Sequence, residues 1–244
     1  VWPAYWMMGN DYGKVGWPKC GEIDIVETGN ADGIKNGTQT RHFGSTLHWG
    51  TSAGAAHKQY GTSYLAPETN PLQNDDYHII TMEWNGNFMQ MFYDLEDFSV
   101  SAKSKARFYS VSIPSSTNTS DIGYYFQKPF FFIFNLAVGG NYTGIYNAGG
   151  ITAMPNAGDE AKMYVDWVRV YQDANDADAK YFTPDGNNIT TNPSTPDTPE
   201  APDTKTEYGY WGSKALDADG NSTFDFTNSY DAVLIGTSFG VTNG

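Results

Sequence analysis

The sequence predicts an all-β sandwich over residues 1–172. Three observations predict it: short strand-like runs recur between Gly, Asn and Pro turns, one pair of runs is joined by a hairpin signal, and no long stretch has helical period. The first run, Val1-Trp2-Pro3-Ala4-Tyr5-Trp6-Met7-Met8, reads as the middle of a strand. Glu22 to Glu27 reads as a second strand. Two more, His78–Trp84 and Phe88–Tyr93, flank Asn85-Gly86-Asn87, a hairpin turn. Pro129 to Val138 is almost continuously apolar and fits a strand buried on both faces, stopped by Gly139-Gly140. Met163 to Tyr171 is a further strand. Plain alternation puts Tyr164, Asp166, Val168 and Val170 on one face, and Val165, Trp167, Arg169 and Tyr171 on the other.

The texture changes after Gln172. Residues 173–206 are acidic and rich in Pro and Thr, with Pro193, Pro196, Pro199 and Pro202 evenly spaced, as in a semi-rigid extended linker. Residues 207–244 regain aromatic residues but are too few to bury a core alone. They read as the start of a second, cut-off module.

Composition narrows the partners. Of the 244 residues, 16% are aromatic, including 7 Trp and 17 Tyr, enough rings to serve sugar faces as well as a sandwich core. The net charge of −14 disfavours nucleic acid, anionic membranes and polyanionic substrates, and leaves a neutral polymer as the easier partner. The single cysteine, Cys20, allows no internal disulfide and reads as a small buried hydrophobe. No apolar run is long enough to span a membrane, and no signal peptide or initiator Met is present.

The chemistry concentrates in Glu22-Ile23-Asp24-Ile25-Val26-Glu27. Strand alternation puts Glu22 and Asp24 on one face and Glu27 on the other. A β-bulge at Ile25-Val26 would restore the parity and make all three acids converge. Like charges clustered this way cost stability, so a purely structural strand gains nothing from them. A retaining glycosidase does: it needs two carboxyl groups about 5–5.5 Å apart. With the bulge, Glu22 and Glu27 have backbones about 13 Å apart, a gap that two inward-leaning Glu arms largely close. Asp24 between them can hold a proton or hydrogen bond that keeps a nucleophile ionised, and negative neighbours raise the third carboxyl toward a general acid. An exposed acidic strand is the competing interpretation.

The longer string Trp17-Pro18-Lys19-Cys20-Gly21-Glu22-Ile23-Asp24-Ile25-Val26-Glu27 resembles the signature of glycoside hydrolase family 16 in its bulged, laminarinase-like form. The first nine residues, Thr46-Leu47-His48-Trp49-Gly50, Tyr77-His78 with Glu83-Trp84, Phe134-Asn135-Leu136-Ala137-Val138-Gly139-Gly140 and Tyr164 to Tyr171 resemble the same family, in its order. The resemblance implies a concanavalin-like jelly roll with a sugar cleft on its concave sheet, here lacking its first strands. It implies Glu22 as nucleophile, Asp24 as helper and Glu27 as acid/base. His48 is then expected on a neighbouring strand near the acid/base, unless it is a satisfied structural histidine. Trp6 and Trp17 flank the carboxylates in sequence and are candidates for stacking on sugar, with core packing the alternative for each. Trp2 and Trp49 are weaker candidates. Asn135 is expected on a cleft-facing strand or at a polar strand end. His42, His57 and His78 read as structural or surface residues. Asp166 stands where the family often places a structural calcium ligand. Catalysis itself needs no cofactor.

The expectation is a secreted or cell-surface, monomeric, retaining endo-β-1,3-glucanase, acting on β-1,3- or mixed β-1,3/1,4-glucan. Two rivals stay open: a same-family hydrolase of another neutral polysaccharide, such as agar or xyloglucan, and a non-catalytic carbohydrate-binding sandwich. The clustered carboxylates weigh against the second, because binding needs rings and neutral polar groups.

Overall fold

The computed structural model describes residues 1–156 and 158–171 in full, and the backbone of 181–182, 188–189 and 233–243. Nine strands form in the first part: β1 (Trp2–Gly9), β2 (Glu22–Thr28), β3 (His42–Gly50), β4 (His57–Leu65), β5 (His78–Trp84), β6 (Phe88–Tyr93), β7 (Arg107–Ser112), β8 (Phe130–Ala137) and β9 (Ala161–Tyr171). Three short helices sit in the connections: α1 (Tyr12–Val15), α2 (Ala31–Lys35) and α3 (Val100–Ala106). Asn30 caps α2 and Ser99 caps α3, each accepting a hydrogen bond from a backbone N–H of the first turn. Further on come β10 (Tyr181–Phe182), paired with β11 (Asn188–Ile189), and then β12 (Val233–Asn243).

Two five-stranded antiparallel sheets make a jelly-roll sandwich. Their orders are β4-β3-β2-β1-β8 and β7-β6-β5-β12-β9. The first sheet lays Tyr5, Met7, Ile23, Phe43 and Leu47 on the core, and the second answers with Ile80, Met82, Trp84, Met89, Met91 and Tyr93. The hairpin between β5 and β6 forms as expected. Asn85 closes it by accepting from the backbone N–H groups of Asn87 and Phe88.

Two expectations about strands are corrected. The apolar run of β8 is not buried on both faces: only Phe130 is fully buried and the rest is half-buried. The reason is its place at the edge of the first sheet, paired with β1 alone. Phe132 and Phe134 turn inward and stack on Tyr5, and Phe131, Ile133 and Asn135 take the opposite face. In β9 the alternation breaks. Val168 pairs with Thr237 and Val165 with Phe239, so β9 carries one extra residue at Asp166–Trp167. Met163 therefore packs on the core with Val168 and Val170, and Tyr164 and Asp166 face solvent.

Apart from β10 and β11, the linker expected at 173–206 lies outside the described residues. Of 207–244 only β12 is described, and its backbone pairs with β5 on one side and β9 on the other.

Candidate active site

β2 lies in the middle of the first sheet, held by β1 and β3. Against β3 the partners are Glu22 with His48, Asp24 with Thr46, and then Glu27 with Gly44. Three steps on β2 match two on β3. The same extra residue appears against β1, where Trp6 faces Asp24 and Tyr5 faces Val26. This is a β-bulge at Ile25–Val26. Both bulge side chains enter the core at 0% exposure, and Glu27 returns to the face of Glu22 and Asp24. Ser45 stands opposite the bulge. Its buried hydroxyl donates to the Ile25 carbonyl at 2.6 Å, satisfying a group that the irregular ladder leaves over.

Each outer carboxylate is gripped by an indole. Trp17 Nε1 donates to Glu22 Oε2 at 2.7 Å, and Trp2 Nε1 donates to Glu27 Oε1 at 2.9 Å. Trp2 stacks on Tyr142 with centroids 5.1 Å apart, and the Tyr142 hydroxyl donates to the Glu27 carbonyl at 3.2 Å. His48 brings Nε2 to 3.2 Å from Asp24 Oδ2 and 4.0 Å from Glu22 Oε1. The Asp24 approach is within ion-pair range but off the line of a hydrogen bond, and Asp24 Oδ2 is buried without a hydrogen-bond partner.

Burial dominates the electrostatics. It pushes Asp24, 3% exposed, well above the usual carboxylate range, and the charge and hydrogen bond of Glu22 push the same way. Burial also raises Glu22, opposed by His48 and by hydrogen bonds from Trp17 and Asp24. Glu27 is pushed up to about 8, by burial first and then by the charge of Asp24. His48 is lowered by burial, against the pull of Glu22 and Glu27. The consistent protonation is Asp24–H donating to an ionised Glu22, with Glu27 protonated at neutral pH.

The other expected residues take varied places. Trp6 Nε1 donates to Asn135 Oδ1 at 2.7 Å across β1 and β8, so these two stand together on the cleft face. Trp17 is 36% exposed beside the carboxylates. Trp49 is a correction. Adjacent strand residues point to opposite faces, so with His48 on the carboxylate face Trp49 turns inward, against the core and the Phe126 ring. His48 stands on the neighbouring strand opposite Glu22, within electrostatic reach of Glu27 as well. Asp166 is exposed on β9. Among the described residues no other Asp, Glu, His or Cys joins it in a ligand group. Three site roles emerge only from the structure: Ser45, visible once register is known, Tyr142, which stacks on Trp2, and His57, whose ring meets that of His48.

Residues 1–87 match the family model described as the XgeA-like catalytic GH16 domain. The chain is 35% identical over 175 residues to the glucan endo-1,3-beta-glucosidase A1 of Niallia circulans, covering 71% of this chain and 22% of that protein. It is 34% identical over 175 residues to the clotting factor G alpha subunit of Tachypleus tridentatus, covering 71% and 21%. The chain thus spans about a fifth of the length of these relatives. Among solved structures, the Bacteroides ovatus mixed-linkage glucan GH16 protein in complex with a G4G4G3G product is similar at a TM-score of 0.51 and 35% identity, over 62% of this chain and 55% of that one. The family-model match takes in the bulged carboxylate strand, and over residues 1–87 the chain is similar to the catalytic domain of glycoside hydrolase family 16.

Proposed function

We propose that this chain carries the catalytic centre of a retaining endo-β-1,3-glucanase, acting on β-1,3- or mixed β-1,3/1,4-glucan by double displacement. The observation that carries the reading is the bulge that turns Glu22, Asp24 and Glu27 to one face. Glu22, kept ionised by hydrogen bonds from Trp17 and Asp24, attacks the anomeric carbon. Glu27, still protonated at neutral pH, gives its proton to the glycosidic oxygen as that bond breaks. A glycosyl ester on Glu22 results, with the leaving chain capped by the proton. Glu27, now a carboxylate, takes a proton from water, and the water oxygen displaces Glu22 with net retention. The proton count closes: Glu27 ends protonated and Glu22 ionised.

The neutral substrate rests on the charge of −14, and the β-glucan class on the names of the relatives. A secreted or cell-surface, monomeric protein fits the same reading, and among the described residues no helix is long and apolar enough to cross a membrane. The test is laminarin hydrolysis by wild type, Glu22→Gln and Glu27→Gln, beside mixed-linkage glucan, agar and xyloglucan. Laminarin turnover that falls at least a thousandfold in Glu22→Gln is the expected result, on the order of what a lost nucleophile costs. Undiminished turnover in either variant overturns the reading.

A further inference from the structure

His57 opens β4 and pairs in register with Gly50 at the end of β3. Its Nε2 lies 2.9 Å from His48 Nδ1, and the two rings stack with centroids 5.1 Å apart. Its ring also meets Trp17, at 4.6 Å between centroids. Trp17 in turn donates to Glu22. A closed circuit results: Glu22, Trp17, His57, His48 and back to the Glu22–Asp24 pair.

Two neutral imidazoles at 2.9 Å share one proton, and it has two placements. If His48 donates, its Nε2 is bare. That lone pair then lies 3.2 Å from Asp24 Oδ2, an oxygen with no hydrogen-bond partner of its own, while the Asp24 proton is engaged with Glu22. Two lone pairs at that distance in a buried site repel. If His57 donates, His48 Nδ1 accepts and the His48 proton lies on Nε2, toward the carboxylates. The second arrangement removes the repulsion.

We propose that His57 is a positioning residue: by donating to His48 Nδ1 it holds His48 in the Nε2–H tautomer that faces Asp24 and Glu22. The proposal rests on the hydrolase reading for its catalytic consequence, and on the ring geometry alone for the tautomer. The ionisable groups around the pair are His48 on β3 and Glu22, Asp24 and Glu27 on β2. Trp17 contributes a neutral ring. Lys58, next in sequence to His57, turns its Nζ to the Ser120 carbonyl at 3.1 Å. Burial and the neighbouring His48 both lower His57, so it stays neutral, and able to donate from Nε2, at neutral pH.

The test has two arms. Nitrogen NMR of the histidine rings, without substrate, is expected to show His48 protonated on Nε2 in wild type and a mixture of tautomers in His57→Phe and His57→Ala. The second arm follows laminarin hydrolysis against pH. His57→Phe keeps an aromatic ring on Trp17 but offers no donor, and is expected to lower kcat about five- to tenfold and move the acidic limb upward, with KM nearly unchanged. His57→Gln, which restores an N–H donor, is expected to recover most of the loss. A wild-type His48 protonated on Nδ1, or a His57→Phe profile that overlays wild type, overturns the proposal. If wild type fails to cleave laminarin, the hydrolase reading falls and the NMR arm still decides the tautomer.

Discussion

Trp17 donates its indole N–H to the Glu22 carboxylate at 2.7 Å while 36% of the residue stays open to solvent. One side chain thus holds the proposed nucleophile with its edge and stays partly open to solvent. Trp17→Phe keeps the ring and removes the donor. It is expected to lower kcat about tenfold, the worth of one hydrogen bond to a charged group, with little change in KM. Trp17→Ala is expected to raise KM as well. A kcat in Trp17→Phe equal to wild type would show that the bond does not serve the nucleophile.

Glu27 links activity to stability through pH. Its ordinary value of 4.5 is pushed up to about 8, chiefly by burial. Within that window the folded chain holds a proton that the unfolded chain has released. Stability therefore falls as pH rises from about 4.5 to about 8, since the unfolded state binds fewer protons. Glu27→Gln never ionises and is expected to lose less Tm than wild type between about pH 5 and pH 8. Equal slopes would contradict the raised value. In the active protein, kcat/KM is expected to decline on an alkaline limb near 8, as the acid gives up its proton.

Ser45 supports the bulge from the neighbouring strand. Ser45→Ala leaves the Ile25 carbonyl buried and unpaired, at a cost of about 1–3 kcal/mol. Thermal unfolding is expected to show that loss, and activity at a temperature well below Tm is expected to fall as well, because the bulge sets where Glu27 points. A destabilised variant with full activity would separate the bond from the carboxylate geometry.

Asn135 and Trp6 form a polar bridge between β8 and β1. Asn135→Ala strips the indole of its acceptor without touching the three acids. The expected result is a KM higher by about three- to tenfold and a kcat within about twofold. A change confined to kcat would move this pair from substrate contact to the reacting groups.

Much of this centre was legible because strand geometry makes strict demands. Glu27 has the wrong parity to share a face with Glu22 and Asp24 on a regular strand, a bulge at Ile25–Val26 was what would restore it, and the register shows one there. The β5–β6 hairpin was equally legible, from Asn85 and its neighbours. Other features depend on which strands become neighbours, which no local pattern encodes. The apolar run of β8 looked doubly buried because composition does not distinguish an edge strand from a central one. Asp166–Trp167 hid a second bulge because plain alternation gave each face one charged residue, Asp166 or Arg169, and so marked neither face as the inward one. His57 read as a structural or surface residue until the β3–β4 register brought it onto His48, and Ser45 had no role until its strand was placed against β2.

The groups that hold or move protons, from the Trp2 indole through Glu22, Asp24, Glu27 and His48 to His57, come from four consecutive strands and the loop between the first two. Asn135 and Tyr142 arrive from much later in the chain. The groups proposed to carry the chemistry therefore lie in one short contiguous stretch of the chain. Recombination between related genes at the connection after β4 would exchange the cleft-lining contributions of the later strands and loops while leaving the acid–base set intact. Under the proposed function, new polysaccharide preferences could then be sampled by crossover, without first rebuilding the proposed catalytic centre.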